Sequence, residues 1–145
     1  MPTLNPCQSY RQITTLTASP GQIVLMLYEG ALRSLERSLP GFAGGDPAEA
    51  NMTIHNNLQR ALDIIRELNG ALNLDQGGEF AGTMRRLYNY FDRRIRESNL
   101  RKEPSGVEEV IGHLTVLRDA WATMLQNQAM PPDTMSRLSA ACALA

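Results

Sequence analysis

The chain is poor in the residues that do most chemistry. It has only two cysteines, Cys7 and Cys142, near opposite ends of its 145 residues and without the spacing of a disulfide framework. Lone thiols so placed point to a reducing compartment. Cys7 has one cation, Arg11, four residues on, which is too little to lower a thiol pKa and make a nucleophile. Histidines are equally scarce: His55 and His113 are the only two. The residues three before them are Met52 and Val110, so neither belongs to the Glu-x-x-His motif of a di-iron bundle. His-Glu-x-x-His, Cys-x-x-Cys-His, Gly-x-Ser-x-Gly, the Walker loop and Gly-x-Gly-x-x-Gly are all missing. Gly77-Gly78 reads as a turn between helices. The histidines read as polar residues at solvent-facing or boundary positions. The expectation is a protein without metal, cofactor or catalytic residues. A metal-dependent enzyme stays only as a formal third class of function.

Neither sign of charge dominates. Fourteen Lys and Arg face fifteen Asp and Glu, for a net charge of −1, so no bulk field draws the chain to nucleic acid or anionic lipid. Half of the basic residues cluster as Arg85, Arg86, Arg93, Arg94, Arg96, Arg101 and Lys102, but Asp92, Glu97 and Glu103 interrupt them. Asp92 precedes Arg96 and Glu97 precedes Arg101 by four residues, the favourable order for helical ion pairs. A solvated, self-paired helix face explains this cluster better than a nucleic-acid surface, and Tyr90 and Arg94 can stack on it. Long apolar runs are also missing, far short of the roughly 18–20 residues a membrane span needs. The start, MPTLNPCQSY, has neither a basic n-region nor an apolar h-region. The expectation is a soluble cytoplasmic protein with no nucleic-acid partner and no membrane insertion.

What the sequence does contain is helix. Its length suits one domain able to bury a core without metal or disulfides, and its 43% hydrophobic content is ordinary. Three starts carry capping-box logic: Ser19-Pro20-Gly21-Gln22, Asp46-Pro47-Ala48-Glu49 and Ser105-Gly106-Val107-Glu108. A weaker start lies at Gly77-Gly78-Glu79. Apolar residues then recur at helical spacing. The second helix shows Ile54, Leu58, Ala61, Leu62, Ile65 and Leu68. The third shows Phe80, Met84, Leu87, Phe91 and Ile95 with Tyr88 beside them. The fourth shows Val107, Val110, Ile111, Leu114, Leu117, Trp121 and Leu125, with Trp121 expected to be largely buried. Stops are Pro40-Gly41 with Gly44-Gly45, then Gly70, Asn99 through Pro104, and Pro131-Pro132. The expected fold is all-α, an antiparallel up-and-down four-helix bundle over residues 19–128. An N-terminal capping segment, residues 1–18, precedes it, and a tail, residues 129–145, follows. The tail has room for a short helix carrying Met135, Leu138, Ala141 and Cys142.

The first helix is the unusual one. Ile23-Val24-Leu25-Met26-Leu27-Tyr28 puts six apolar residues in a row, which encircle a helix, whereas an ordinary surface helix has a stripe about 100° wide. Either this helix sits at the centre, or its outer face is covered by the N-terminal segment or a partner. Tyr10, Ile13 and Leu16 recur at spacing three and supply one apolar face for that cover. A partner's amphipathic helix can do the same. Seven methionines, including Met26, Met84 and Met124, suit an adaptable surface, although ordinary core packing also accounts for them.

The segment from Thr17 to Ala31, TASPGQIVLMLYEGA, resembles the signature of the flagellar secretion chaperones, FliS. Two further stretches agree in order and spacing. One runs Leu74-Asp75-Gln76-Gly77-Gly78-Glu79, Leu87-Tyr88-Asn89-Tyr90, Arg93-Arg94 and Asn99-Leu100; the other Glu108-Glu109-Val110-Ile111 and Leu117-Arg118-Asp119-Ala120-Trp121. The resemblance spans about Tyr10 to Leu125. It implies a non-enzymatic antiparallel four-helix bundle that binds the C-terminal segment of new flagellin in the cytoplasm. Such a chaperone blocks premature polymerisation, assists delivery to the export apparatus, and meets export components and regulators. It also implies that an N-terminal tyrosine segment, here around Tyr10, lies on an apolar groove and gives way to the client. The candidate partner-binding residues are Tyr10, Ile13, Leu16, Ile23, Met26, Leu27, Tyr28 and Tyr88. A bundle adaptor for another amphipathic or unfolded client is the alternative, because one fold hosts many functions.

Overall fold

Ser19 opens the first helix with a complete capping box: its hydroxyl accepts the Gln22 N–H at 3.2 Å, and its own N–H donates to the Gln22 side chain at 3.0 Å. The computed structural model describes residues 19–127, so both tails lie outside the described residues. Four helices follow: α1 Pro20–Phe42, α2 Pro47–Gly70, α3 Leu74–Arg101 and α4 Ser105–Gln126. Among the described residues there is no strand, and no helix is long and apolar enough to cross a membrane.

Each helix packs on its sequence neighbour, and α4 returns to α1. The contacts fix antiparallel directions. Gly30 faces Ile64 and Gly41 faces Ile54 between α1 and α2. Asn69 bonds Asn89 and His55 bonds Asn99 between α2 and α3. Ser98 bonds Val107 and Arg94 bonds Glu109 between α3 and α4. Trp121 reaches Gly21 between α4 and α1. This is the up-and-down bundle that the short connections call for.

The α2 stripe, Ile54, Leu58, Ala61, Leu62, Ile65 and Leu68, is wholly buried. Asp46 caps the helix by accepting the Glu49 N–H at 3.1 Å. The other helices depart from expectation in instructive ways. Pro40-Gly41 does not stop α1. Pro40 sits in the last turn, and its missing N–H leaves the carbonyl of exposed Glu36 without its helical donor, at a position water can reach. Gly41 is there for proximity: a Cβ would lie 2.7 Å from Ile54 Cγ1 and 2.9 Å from the Ala50 carbonyl. The turn itself is made by Gly44 and Gly45, at φ of 105° and 107°.

In α3 the Gly77-Gly78-Glu79 signal is where the long helix starts, with an extra turn ahead of it. Gly78, at φ 55° and ψ −136°, separates a first turn from the long helix. The buried stripe is Ala81, Met84, Tyr88, Phe91, Ile95 and Ser98, whereas Phe80, expected inside, is 49% exposed. Helix α4 corrects a third cap. Ser105 is already helical; its N–H and hydroxyl both donate to the Glu103 carboxylate. The N-cap position is Pro104, which makes no side-chain cap. The cap comes instead from α3, whose buried Ser98 hydroxyl accepts the Val107 N–H at 3.1 Å. Only glycine fits at 106, since a Cβ would stand 2.5 Å from the Arg94 carbonyl.

Candidate partner-binding site

The apolar run of α1 splits by burial. Val24, Leu27 and Tyr28 are inside, while Ile23, Leu25 and Met26 remain half-buried in the first two turns. The three sibling helices therefore do not hide the whole run. Tyr10, Ile13 and Leu16 fall outside the described residues.

Tyr28 and Tyr88 have a different setting from Ile23 and Met26. Their hydroxyls meet at 2.6 Å in the interior, linking α1 to α3 across the bundle. Burial pushes both phenols above the ordinary tyrosine range. Trp121 stands edge-on to Tyr28 at 6.5 Å, and Tyr88 tilts against Phe91 at 6.4 Å. The Trp121 indole N–H donates to the Gly21 carbonyl at 2.6 Å, which ties the end of α4 to the first turn of α1. Leu27, Tyr28 and Tyr88 are 5%, 3% and 2% exposed, so a partner cannot reach them without moving the bundle. Ile23 and Met26 are within its reach. The sequence did not reveal the Trp121–Gly21 tie, because a bond to a backbone carbonyl leaves no pattern in residue types.

Three of the seven basic residues of the cluster, Arg93, Arg94 and Arg96, are paired with carboxylates, while Arg85 and Arg86 bond the Asn69 carbonyl and the Thr83 hydroxyl. Asp92 takes Arg96, as expected, and also Arg66 of α2 at 3.3 Å. Glu97 pairs with Arg93 and with Arg94 at 2.8 Å rather than with Arg101. Arg93, not Arg94, lies over the Tyr90 ring, at 5.1 Å. Tyr90 donates to Glu109, and Arg94 Nε donates to the same carboxylate at 2.9 Å. These bonds hold Glu109 below the usual carboxylate range, the Tyr90 bond first, and raise Tyr90 and Arg94. A groove of about 600 Å³ between α2 and α3 is lined by Arg66, Asn69, Asn89, Asp92, Arg93, Arg96, Glu97 and Leu100, away from the start of α1.

The histidines lie at the surface, each in contact with α3. His55 is exposed and bonds Asn99 at 3.2 Å, and His113 stacks on Phe91 at 5.8 Å. Among the described residues no group of three or more His, Cys, Asp and Glu side chains could hold a metal ion. The partly uncovered apolar face at the start of α1, Ile23, Leu25 and Met26, is the candidate surface.

Comparison with known proteins agrees. The family model "Flagellar protein FliS" matches residues 3–128. The flagellar secretion chaperone FliS of Bacillus subtilis is 34% identical over 124 residues, covering 86% of this chain and 89% of that protein. The FliS of Salmonella typhimurium is 32% identical, covering 83% of this chain and 90% of that protein. The FliS of Escherichia coli is 30% identical, covering 87% and 93%. Similarity over nearly the full length of both partners, on a four-helix bundle, makes this chain a member of the FliS family of flagellar secretion chaperones, which are not enzymes.

Proposed function

We propose that this protein is a cytoplasmic holdase for flagellin. It binds the C-terminal segment of the newly made subunit, keeps it from polymerising, and assists its delivery to the export apparatus. One observation carries the reading: Ile23, Leu25 and Met26 stay half-buried at the start of α1, beside the point where residues 1–18 join the bundle. An amphipathic helix laid along that face would cover them. Met26 suits a surface that must fit varied side chains. An unfolded client loses entropy on ordering, so the contact must extend well beyond these three residues. Tyr10, Ile13 and Leu16 offer a weaker cover for the same face when no client is present.

Titration of a labelled flagellin C-terminal peptide tests this. Saturable one-to-one binding with a gain of helical circular dichroism is the expected result. Met26→Asp should weaken binding, and Tyr10→Ala should change affinity or exchange kinetics while the bundle stays folded. Absence of saturable binding at micromolar peptide would refute the reading.

A further inference from the structure

The seam between α3 and α4 is shut by polar contacts at one end and lined by partly covered apolar side chains at the other. At the shut end the Val107 N–H meets the Ser98 hydroxyl at 3.1 Å. Further along, Arg94 bonds Glu109 at 2.9 Å and Phe91 stacks on His113 at 5.8 Å. These pairs set one antiparallel register. Carried along the seam, it brings Leu87 level with Leu117 and Phe80 level with Met124. None of these is fully buried: Phe80 is 49% exposed, and Leu87, Leu117 and Met124 are half-buried, one side packed against the core and the other uncovered. Leu74, just before the Gly78 break, is 45% exposed. Among the described residues no ion pair joins α3 to α4 beyond Glu109. Single apolar side chains are common on surfaces. Here several share one seam, whose far end is tightly closed.

We propose that this cleft docks the chain's own C-terminal tail, residues 128–145. The tail starts in the right place, because α4 ends at Gln126, within a turn of Met124. Its neighbour across the seam is α3, whereas α1, with its separate apolar face, lies on the other side of α4. The composition of the tail also fits. Met135, Leu138, Ala141 and Cys142 share one face at helical spacing, and its only formal side-chain charges, Asp133 and Arg137, cancel. Pro131-Pro132 cannot extend α4, so the chain is free to turn back. The stretch from Asn127 to Met135 can span up to roughly 26–29 Å, more than the about 8–10 Å between packed helices. Tethering gives a high effective concentration, so a small face suffices. The inference does not depend on the identity of the client, because cleft and tail belong to one chain.

Amide hydrogen exchange on the full chain and on the Met135→Asp/Leu138→Asp double variant tests it, without any client. Exchange at residues 80–87 and 117–126 should be about tenfold faster in the variant, with residues 54–68 unchanged. In a Cys7→Ser background, Thr83→Cys should form a disulfide with Cys142 under mild oxidation, and the double variant should lose it. Equal exchange in both proteins would overturn the proposal. So would protection that disappears on dilution, which would assign the cleft to a second copy, or protection that appears only with flagellin peptide, which would assign it to the client.

Discussion

The α1–α2 pair and the α3–α4 pair hold the bundle together by different means. Between α1 and α2 the packing is the closest in the molecule, and every member of the α2 stripe is buried. Glycines at 30 and 41 let the backbones approach, and Ile54 and Ile64 fill the space. Between α3 and α4 the packing is the loosest of the four neighbouring pairs. One end is pinned by polar groups, Ser98 on Val107 and Arg94 with Tyr90 on Glu109, and the other is lined by partly covered apolar side chains. Shape complementarity rigidifies the first pair. The second relies on a few directional bonds at one end, which leaves apolar surface along the rest of the seam. A chaperone needs both, a frame that does not deform and surface still available for a chain to cover.

The largest test of this contrast is truncation on either side of it. Leu58→Ala, at a fully buried position, should cost about 2–5 kcal/mol in chemical denaturation. Leu117→Ala, on the partly covered seam, should cost well under half as much, because its cavity already meets solvent. Equal losses would mean that the seam is closed. Glycine substitutions come next. Gly41→Ala and Gly106→Ala should each cost roughly 1–3 kcal/mol, the first against Ile54 and the second against the Arg94 backbone. Gly112→Ala meets nothing within 4 Å and should stabilise by up to about 1 kcal/mol.

The buried tyrosine pair sharpens the comparison, since it joins one helix of each half. Tyr28→Phe strands the Tyr88 hydroxyl and should cost about 1–3 kcal/mol, whereas Tyr28→Phe/Tyr88→Phe should recover most of that. A double mutant as damaged as the sum of the singles would show that the hydroxyls act independently. Ser98→Ala, which removes the cap lent to α4, should cost about 1 kcal/mol.

The smallest effect is that of pH. Glu109 titrates below the usual carboxylate range in the folded protein. Its contribution is complete above the ordinary carboxylate pKa and is lost as pH falls through the lowered folded-state value. Glu109→Gln should therefore lower stability modestly in the neutral region and flatten the acid limb of the stability–pH curve, the two proteins converging at low pH.

Much of this frame could be read from residues, and the misreadings have physical causes. Helix α2 was fully legible because a periodic stripe buried along its whole length needs no outside information. Phe80 fits the apolar spacing yet lies at the surface, because periodicity says which face of a helix is apolar, not how far the neighbour extends to cover it. Ser105 reads as a cap because its spacing to Glu108 is right, but Glu103 captures it and Ser98 supplies the cap from another helix. Glu97 chose Arg93 and Arg94 over Arg101, since the three are nearly equivalent by spacing alone. In the candidate site, the excess of α1 was visible as an unbroken apolar run. Which members stay accessible was not, because that depends on where α2 and α4 lie; Leu27 and Tyr28 turned inward while Ile23 and Met26 did not.

The most direct test is hydrogen exchange on the first turns of α1, residues 20–30, with and without a flagellin C-terminal peptide. Exchange there should slow markedly at saturating peptide, and Met26→Asp should abolish the slowing. Unchanged exchange at α1 under conditions where the peptide is bound would place the client elsewhere and contradict the account.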